Sequence, residues 1–139
     1  MISKTGQHAL NALAVLAELP AGTFMGTGDL AKRIDSPQNY LGKLLQNLSK
    51  WGLVTSQKGK GGGFCLKRNP ARTTLFDILK LTDQLDRWNF CFMKQRPCSR
   101  NNVCGAHKSW KKTKENYLSF LQNTTILNLV AGQPEPKRK

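Results

Sequence analysis

The sequence predicts a mainly α fold with a small β-hairpin wing: a winged helix-turn-helix extended by a long dimerisation helix. Three observations predict it. Two short amphipathic stretches are separated by a tight turn, a glycine-rich hairpin follows the second, and a polar segment with three cysteines leads into a long apolar stripe.

The first element is a helix over 5–18, because Leu10, Leu13, Ala14 and Ala17 recur at spacings of three and four. Leu19-Pro20-Ala21-Gly22 ends it. A short helix is expected over 28–34. Thr27 is its expected cap, Asp29 suits its positive end, and Leu30, Ala31 and Ile34 face inward. Ser36-Pro37 then reads as a capping hydroxyl followed by a proline at the first helical position, and Gly52 stops the helix after Trp51. Leu41, Leu44, Leu45, Leu48 and Trp51 form its inward stripe; Gln38, Asn39, Lys43, Gln46, Asn47 and Lys50 form the opposite face. Leu53 to Gln57 alternates as a strand does, Lys58 to Gly63 is a glycine-rich turn, and Phe64 to Lys67 reads as the returning strand, with Cys65 as a packing residue.

A polar helix of this kind fits a major groove, where Asn and Gln pair with adenine edges and Lys reaches guanine acceptors. Residues near its N-terminus enter deepest. The expected DNA contacts are therefore Gln38, Asn39, Tyr40 and Lys43, with Ser36 and the helix N-terminus on a phosphate and Lys58 and Lys60 at the wing tip. The glycines are not a nucleotide-phosphate loop, since they join two strands and no Gly-Lys-Ser/Thr occurs. Charge agrees with a polyanionic partner: 22 Lys and Arg against 8 Asp and Glu give +14, and the excess runs through both halves of the chain.

Thr74 opens the next helix, with Asp77 placed for a capping box and Leu75, Ile78, Leu79 and Leu81 facing inward. From Arg87 to Ala106 periodicity is lost. Here Cys91, Cys98 and Cys104 precede His107 with spacing C-x6-C-x5-C-x2-H. Three thiols and an imidazole in so short a span can hold a soft metal or an iron–sulfur cluster, and Lys94, Arg96, Arg100 and Lys108 would favour the thiolates. A structural zinc site is the alternative, although its cysteines usually come in close pairs; a thiol redox switch is another, although it leaves His107 idle. From about Ala106 to Gln122 a helix carries Trp110, Thr113, Tyr117, Phe120 and Leu121, read as a homodimer interface. A short helix over Thr125 to Ala131 follows.

The expected organisation is a DNA-binding domain over 1–86, a cluster-binding loop over 87–106, a dimerisation helix and short C-terminal helix over 106–131, and a disordered basic tail over 132–139. No signal peptide is visible, and the apolar run from Ala9 to Leu19 is too short to span a bilayer, so a cytoplasmic location and no membrane partner are expected. No Cys-x-x-Cys, nucleotide fingerprint or convergent acid–base pair supports an enzyme; an iron–sulfur oxidoreductase is the remote alternative.

The chain resembles the IscR-like winged-helix regulators of the Rrf family, which include NsrR-type and RirA-type members. The resemblance covers about residues 2–131 and rests on Ile2-Ser3-Lys4, Tyr40-Leu41, Gly52-Leu53-Val54, the run Lys58 to Phe64, the set Cys91, Cys98, Cys104 and His107, and Trp110. It implies a dimer on a palindromic double-stranded operator. In IscR-type members the corresponding residues hold a 2Fe–2S cluster whose occupancy controls repression or activation. NsrR-type relatives can hold 4Fe–4S, so 2Fe–2S is favoured and 4Fe–4S stays open. The first cysteine gap is six residues where five is usual. Gln7, with His8 beside it, stands where some relatives carry a carboxylate ligand from the partner's first helix. Gly42 stands where IscR has an acidic residue, so target sequence does not carry over.

Overall fold

The computed structural model describes residues 2–83, Leu85, 91–93 and 105–130. Six helices and one hairpin occur among them: α1 (Lys4–Glu18), α2 (Thr27–Ile34), α3 (Gln38–Lys50), β1 (Val54–Gln57), β2 (Gly63–Leu66), α4 (Leu75–Thr82), α5 (His107–Asn123) and α6 (Ile126–Leu129).

α1 is the central beam. Leu10 and Leu13 are buried as the spacing predicts, together with Ala9, Ala12 and Leu16, whereas the predicted Ala14 and Ala17 are only half-buried, and Ser3 caps the helix by accepting from the Gly6 N–H. Around it pack α2, α3, α4 and α6, and their leucines and isoleucines merge into one core with Leu53, Val54 and Leu121. Leu45 and Leu48 of α3 are wholly enclosed. Each such leucine removes enough apolar surface from water to contribute roughly 2 kcal/mol.

Two predicted caps sit differently. Gly26, not Thr27, is the N-cap of α2, and Thr27 is its first residue. α3 begins at Gln38 behind Pro37, whose ψ of 131° is extended, and no side chain caps it. The turn between α2 and α3 is made instead by Asp35 in the left-handed region, with φ 53°. A short polar side chain tolerates that conformation better than most. The Asp35 and Ser36 N–H groups both return to the Ala31 carbonyl, which closes the turn without a side-chain cap.

β1 and β2 pair antiparallel with Val54 opposite Leu66 and Gln57 opposite Gly63. Met25, in the loop before α2, bridges to Phe64 through two backbone hydrogen bonds of 2.8 and 2.9 Å. The hairpin is thereby stitched to the start of α2, a pairing of one residue that no periodicity announces. α4 has the full Thr74–Asp77 capping box, but Leu81 is 36% exposed rather than turned inward. It lies one residue from the end of the helix, where the core no longer follows.

The chain then returns to where α4 began. The Leu75 N–H donates to the Thr124 carbonyl, and the Ile126 N–H donates to the Thr73 carbonyl, both at 2.9 Å. α6 is shorter than the predicted Thr125 to Ala131, and its own capping box joins Thr125 to Asn128. Ala131 and the tail lie outside the described residues. Among the described residues no helix is long and apolar enough to cross a membrane.

Candidate nucleic-acid interface and cysteine segment

α3 presents two distinct faces. Leu41, Leu44, Leu45 and Leu48 anchor one in the core, and Gln38, Asn39, Lys43, Gln46, Asn47 and Lys50 are exposed on the other. A helix held by four buried leucines keeps its polar face in one orientation, which groove reading requires. The predicted contacts are not equivalent. Asn39 and Lys43 are exposed. Gln38 is exposed as well, yet its amide lies beside Gly28 of α2. The Tyr40 hydroxyl already shares a 2.8 Å hydrogen bond with Thr5 Oγ1, so this side chain is fastened to α1. Ser36 does not cap α3, and its Oγ is enclosed without a hydrogen-bond partner.

The wing carries Lys58 and Lys60 at an exposed tip. Gly59 and Gly61 have φ of 95° and 75°, conformations that side-chain-bearing residues rarely adopt. Gly62 and Gly63 are needed for a second reason that lies within the protein. A Cβ at Gly62 would run into the Gln57 carbonyl, and one at Gly63 into the Met25 backbone. The glycine run is thus required by the wing's own turn and its stitch to Met25, whatever DNA also demands. Cys65 is half-buried in β2 opposite Thr55.

The cysteine segment follows in the chain. Cys98 and Cys104 fall outside the described residues; Cys91 and His107 fall within them. Cys91 is buried, and half-buried His107 is the first residue of α5. The rings of Phe92 and Trp110 meet edge to face, with centroids 5.2 Å apart. This contact sets the residue after Cys91 against the residue one turn beyond His107. A thiol and an imidazole are both ligand types that a thiolate-rich metal group takes. Lys108, Lys111 and Lys112 are exposed on the same helix, and Lys114 Nζ lies 6.0 Å from the Trp110 ring centre. On α1, Gln7 is exposed, while His8 Nδ1 is enclosed without a partner.

The predicted stripe on α5 divides. Leu121 is buried in the core and Tyr117 is half-buried beside it, whereas Thr113 is exposed and Phe120 is 48% exposed. Burial, and then the Asp83 carboxylate, push the Tyr117 phenol above the usual tyrosine range.

Sequence reasoning missed Ser3, Thr5, Asp83 and Met25. Ser3 alone had a local signal, a hydroxyl just ahead of an apolar helix.

Three comparisons bear on this arrangement. The Rrf2 family, described as an iron-dependent transcriptional regulator, matches residues 2–132. A chain from Aquifex aeolicus named as an HTH-type transcriptional regulator is 34% identical over 132 residues, covering 94% of this chain and 91% of that one. The HTH-type transcriptional regulator IscR of Yersinia pseudotuberculosis is 28% identical, covering 95% and 80%. Among solved structures, CymR, the global cysteine regulator of B. subtilis, superimposes with a TM-score of 0.76 at 20% identity, covering 96% of this chain and 98% of that one.

Proposed function

The chain belongs to the Rrf2 family of iron-dependent transcriptional regulators, and from that premise, a DNA-binding regulator rather than an enzyme, we propose that it is a homodimeric, sequence-specific repressor controlled by an iron–sulfur cluster. Cys91, Cys98, Cys104 and His107 would hold the cluster, 2Fe–2S in the first instance and 4Fe–4S as the variant form. The observation that carries this reading is the Phe92–Trp110 contact, which supports bringing the neighbouring Cys91 toward the first turn of α5, where His107 stands. The fold alone does not select the signal, because CymR shares it and is a cysteine regulator; the donor set does.

When bound, such a cluster supplies a centre that responds to iron supply, oxidants and nitric oxide. The chain's own residues supply the rest. Gathering the four donors ties both ends of the 87–106 segment to the start of α5, and releasing them frees it. The face of α5 carrying Phe120, together with Phe92 and Met93 at 62% and 69% exposure, offers an apolar surface to a second copy. Two α3 helices and two wings would then meet a palindromic operator, with Asn39 and Lys43 on bases, Gln38 and Tyr40 beside them, Ser36 and the α3 N-terminus near a phosphate, and Lys58 and Lys60 on the flanking backbone.

The test is purification without oxygen followed by a visible spectrum and a paired gel shift on the gene's own promoter. A coloured wild type, a colourless Cys98→Ser variant and a promoter complex that differs between the two are expected. A colourless wild type with stoichiometric zinc would sink the cluster assignment, and DNA binding indifferent to iron would sink the control.

A further inference from the structure

The first turn of α1 is gripped from two sides by residues far away in sequence. On one side is the end of α4. Asp83, the C-cap of that helix, accepts from the Ser3 N–H at 2.7 Å, the Ser3 hydroxyl at 2.6 Å and the Thr82 hydroxyl at 2.8 Å. The Ser3 hydroxyl in turn accepts from the Gly6 N–H at 2.9 Å, so the bond that caps α1 also ends on Asp83. Residue 6 must be small for this to happen. A Cβ there would stand 2.6 Å from Asp83 Oδ1 and 2.8 Å from Leu79 Cδ2. On the other side is the first turn of α3, where the Tyr40 hydroxyl meets Thr5 Oγ1 at 2.8 Å and the Tyr40 ring stands edge-on to His8 at 5.3 Å.

We propose that Asp83 is a positioning residue for DNA reading: through Ser3, Thr5 and Tyr40 it holds the first turn of α3 in register with the end of α4. Charge-assisted hydrogen bonds to one carboxylate are stronger than neutral ones, and a capped helix carries a displacement at its first turn as a unit. The regulatory meaning rests on the cluster reading above, because the chain runs on from Asp83 to Cys91. The Asp83 charge, after burial, also helps raise the Tyr117 phenol pKa, so its influence extends to α5.

The test is hydrogen exchange on the full-length, metal-free chain, read at amides 41–44, the first hydrogen-bonded turn of α3. Asp83→Asn removes the charge and leaves one accepting oxygen where there were two, Ser3→Ala removes the hydroxyl, Ser3→Thr keeps it, and Tyr40→Phe cuts the link to Thr5. Asp83→Asn, Ser3→Ala and Tyr40→Phe should each speed exchange at 41–44 about fivefold. Ser3→Thr should stay near wild type, and Asp83→Asn combined with Tyr40→Phe should be no faster than either alone. Faster exchange confined to 3–8 and 79–85, or additive effects at 41–44, would overturn the proposal. If Asp83→Asn does not fold, Ser3→Ala with Tyr40→Phe carries the same comparison.

Reconstitution with iron and sulfide without oxygen then separates this proposal from its premise. Wild type should change its exchange at 41–44 on loading; Asp83→Asn should gain the same visible absorption without that change. A change that survives in Asp83→Asn overturns the relay. If wild type gains no absorption, the cluster reading fails, and the metal-free comparison decides the relay.

Discussion

The reading unit and the cysteine segment are specified in opposite ways. α3 and the wing owe their shape to what is buried beneath them: four leucines, three left-handed or near-left-handed glycines in the hairpin, and the Met25 stitch. Their outward side chains could be exchanged without altering that shape. In the cysteine segment the proposed donors carry the information, and among the described residues Phe92 meets Trp110 while His107 opens α5. A scaffold that must present a constant surface is written in apolar spacing. A sensor, which is what we propose for the cysteine segment, is written in ligand chemistry.

That contrast can be broken in order of effect. Leu45→Ala, at a site with no exposure, should cost about 2–5 kcal/mol in urea denaturation. A loss below about 1 kcal/mol would show that α3 is not held by its buried face. Gly63→Ala should cost about 1–3 kcal/mol, because φ 138° and the Met25 backbone both oppose a Cβ. The Met25 amide should exchange faster in that variant, and an unchanged amide would mean the stitch is dispensable. Lys58→Ala and Lys60→Ala should leave stability within about 0.5 kcal/mol while weakening binding to all duplexes alike. Each should lower the slope of log affinity against log salt by about 1. Asn39→Ala should be the mildest for total affinity, relaxing preference at one base position in a competition assay. If the lysines changed preference and Asn39 changed only overall affinity, the roles of wing and reading helix would be reversed.

Much of this was legible in the sequence, for reasons that differ by element. α1, α3 and α4 were visible because their buried residues recur at helical spacing, and the hairpin because its glycines can do what other residues cannot. Caps were harder. Ser36-Pro37 carries two start signals, and in the structure the turn uses neither as read: Asp35 turns the chain, Pro37 is the last extended residue, and Ser36 is left with an enclosed hydroxyl. Leu81 followed the spacing but lies at the end of α4, where the core stops. On α5 one stripe resolved into an inward Leu121 and an outward Phe120, a distinction that depends on neighbours far away in sequence. The Asp83–Ser3 bonds join residues 80 apart, and nothing in either local sequence signals the other. Among the candidate site residues, exposure on α3 and the wing followed the predicted face. Tyr40 was fastened to α1 only through the tertiary fold.

The backbone bonds joining Thr73 and Leu75 to Thr124 and Ile126 have a consequence for how such a protein can vary. The chain departs for the cysteine segment and comes home at the same spot on the domain, as an inserted unit does. Lengthening a loop within such an excursion costs only slowly growing closure entropy. Both ends of the excursion are held by backbone hydrogen bonds, which place no demand on side-chain identity there.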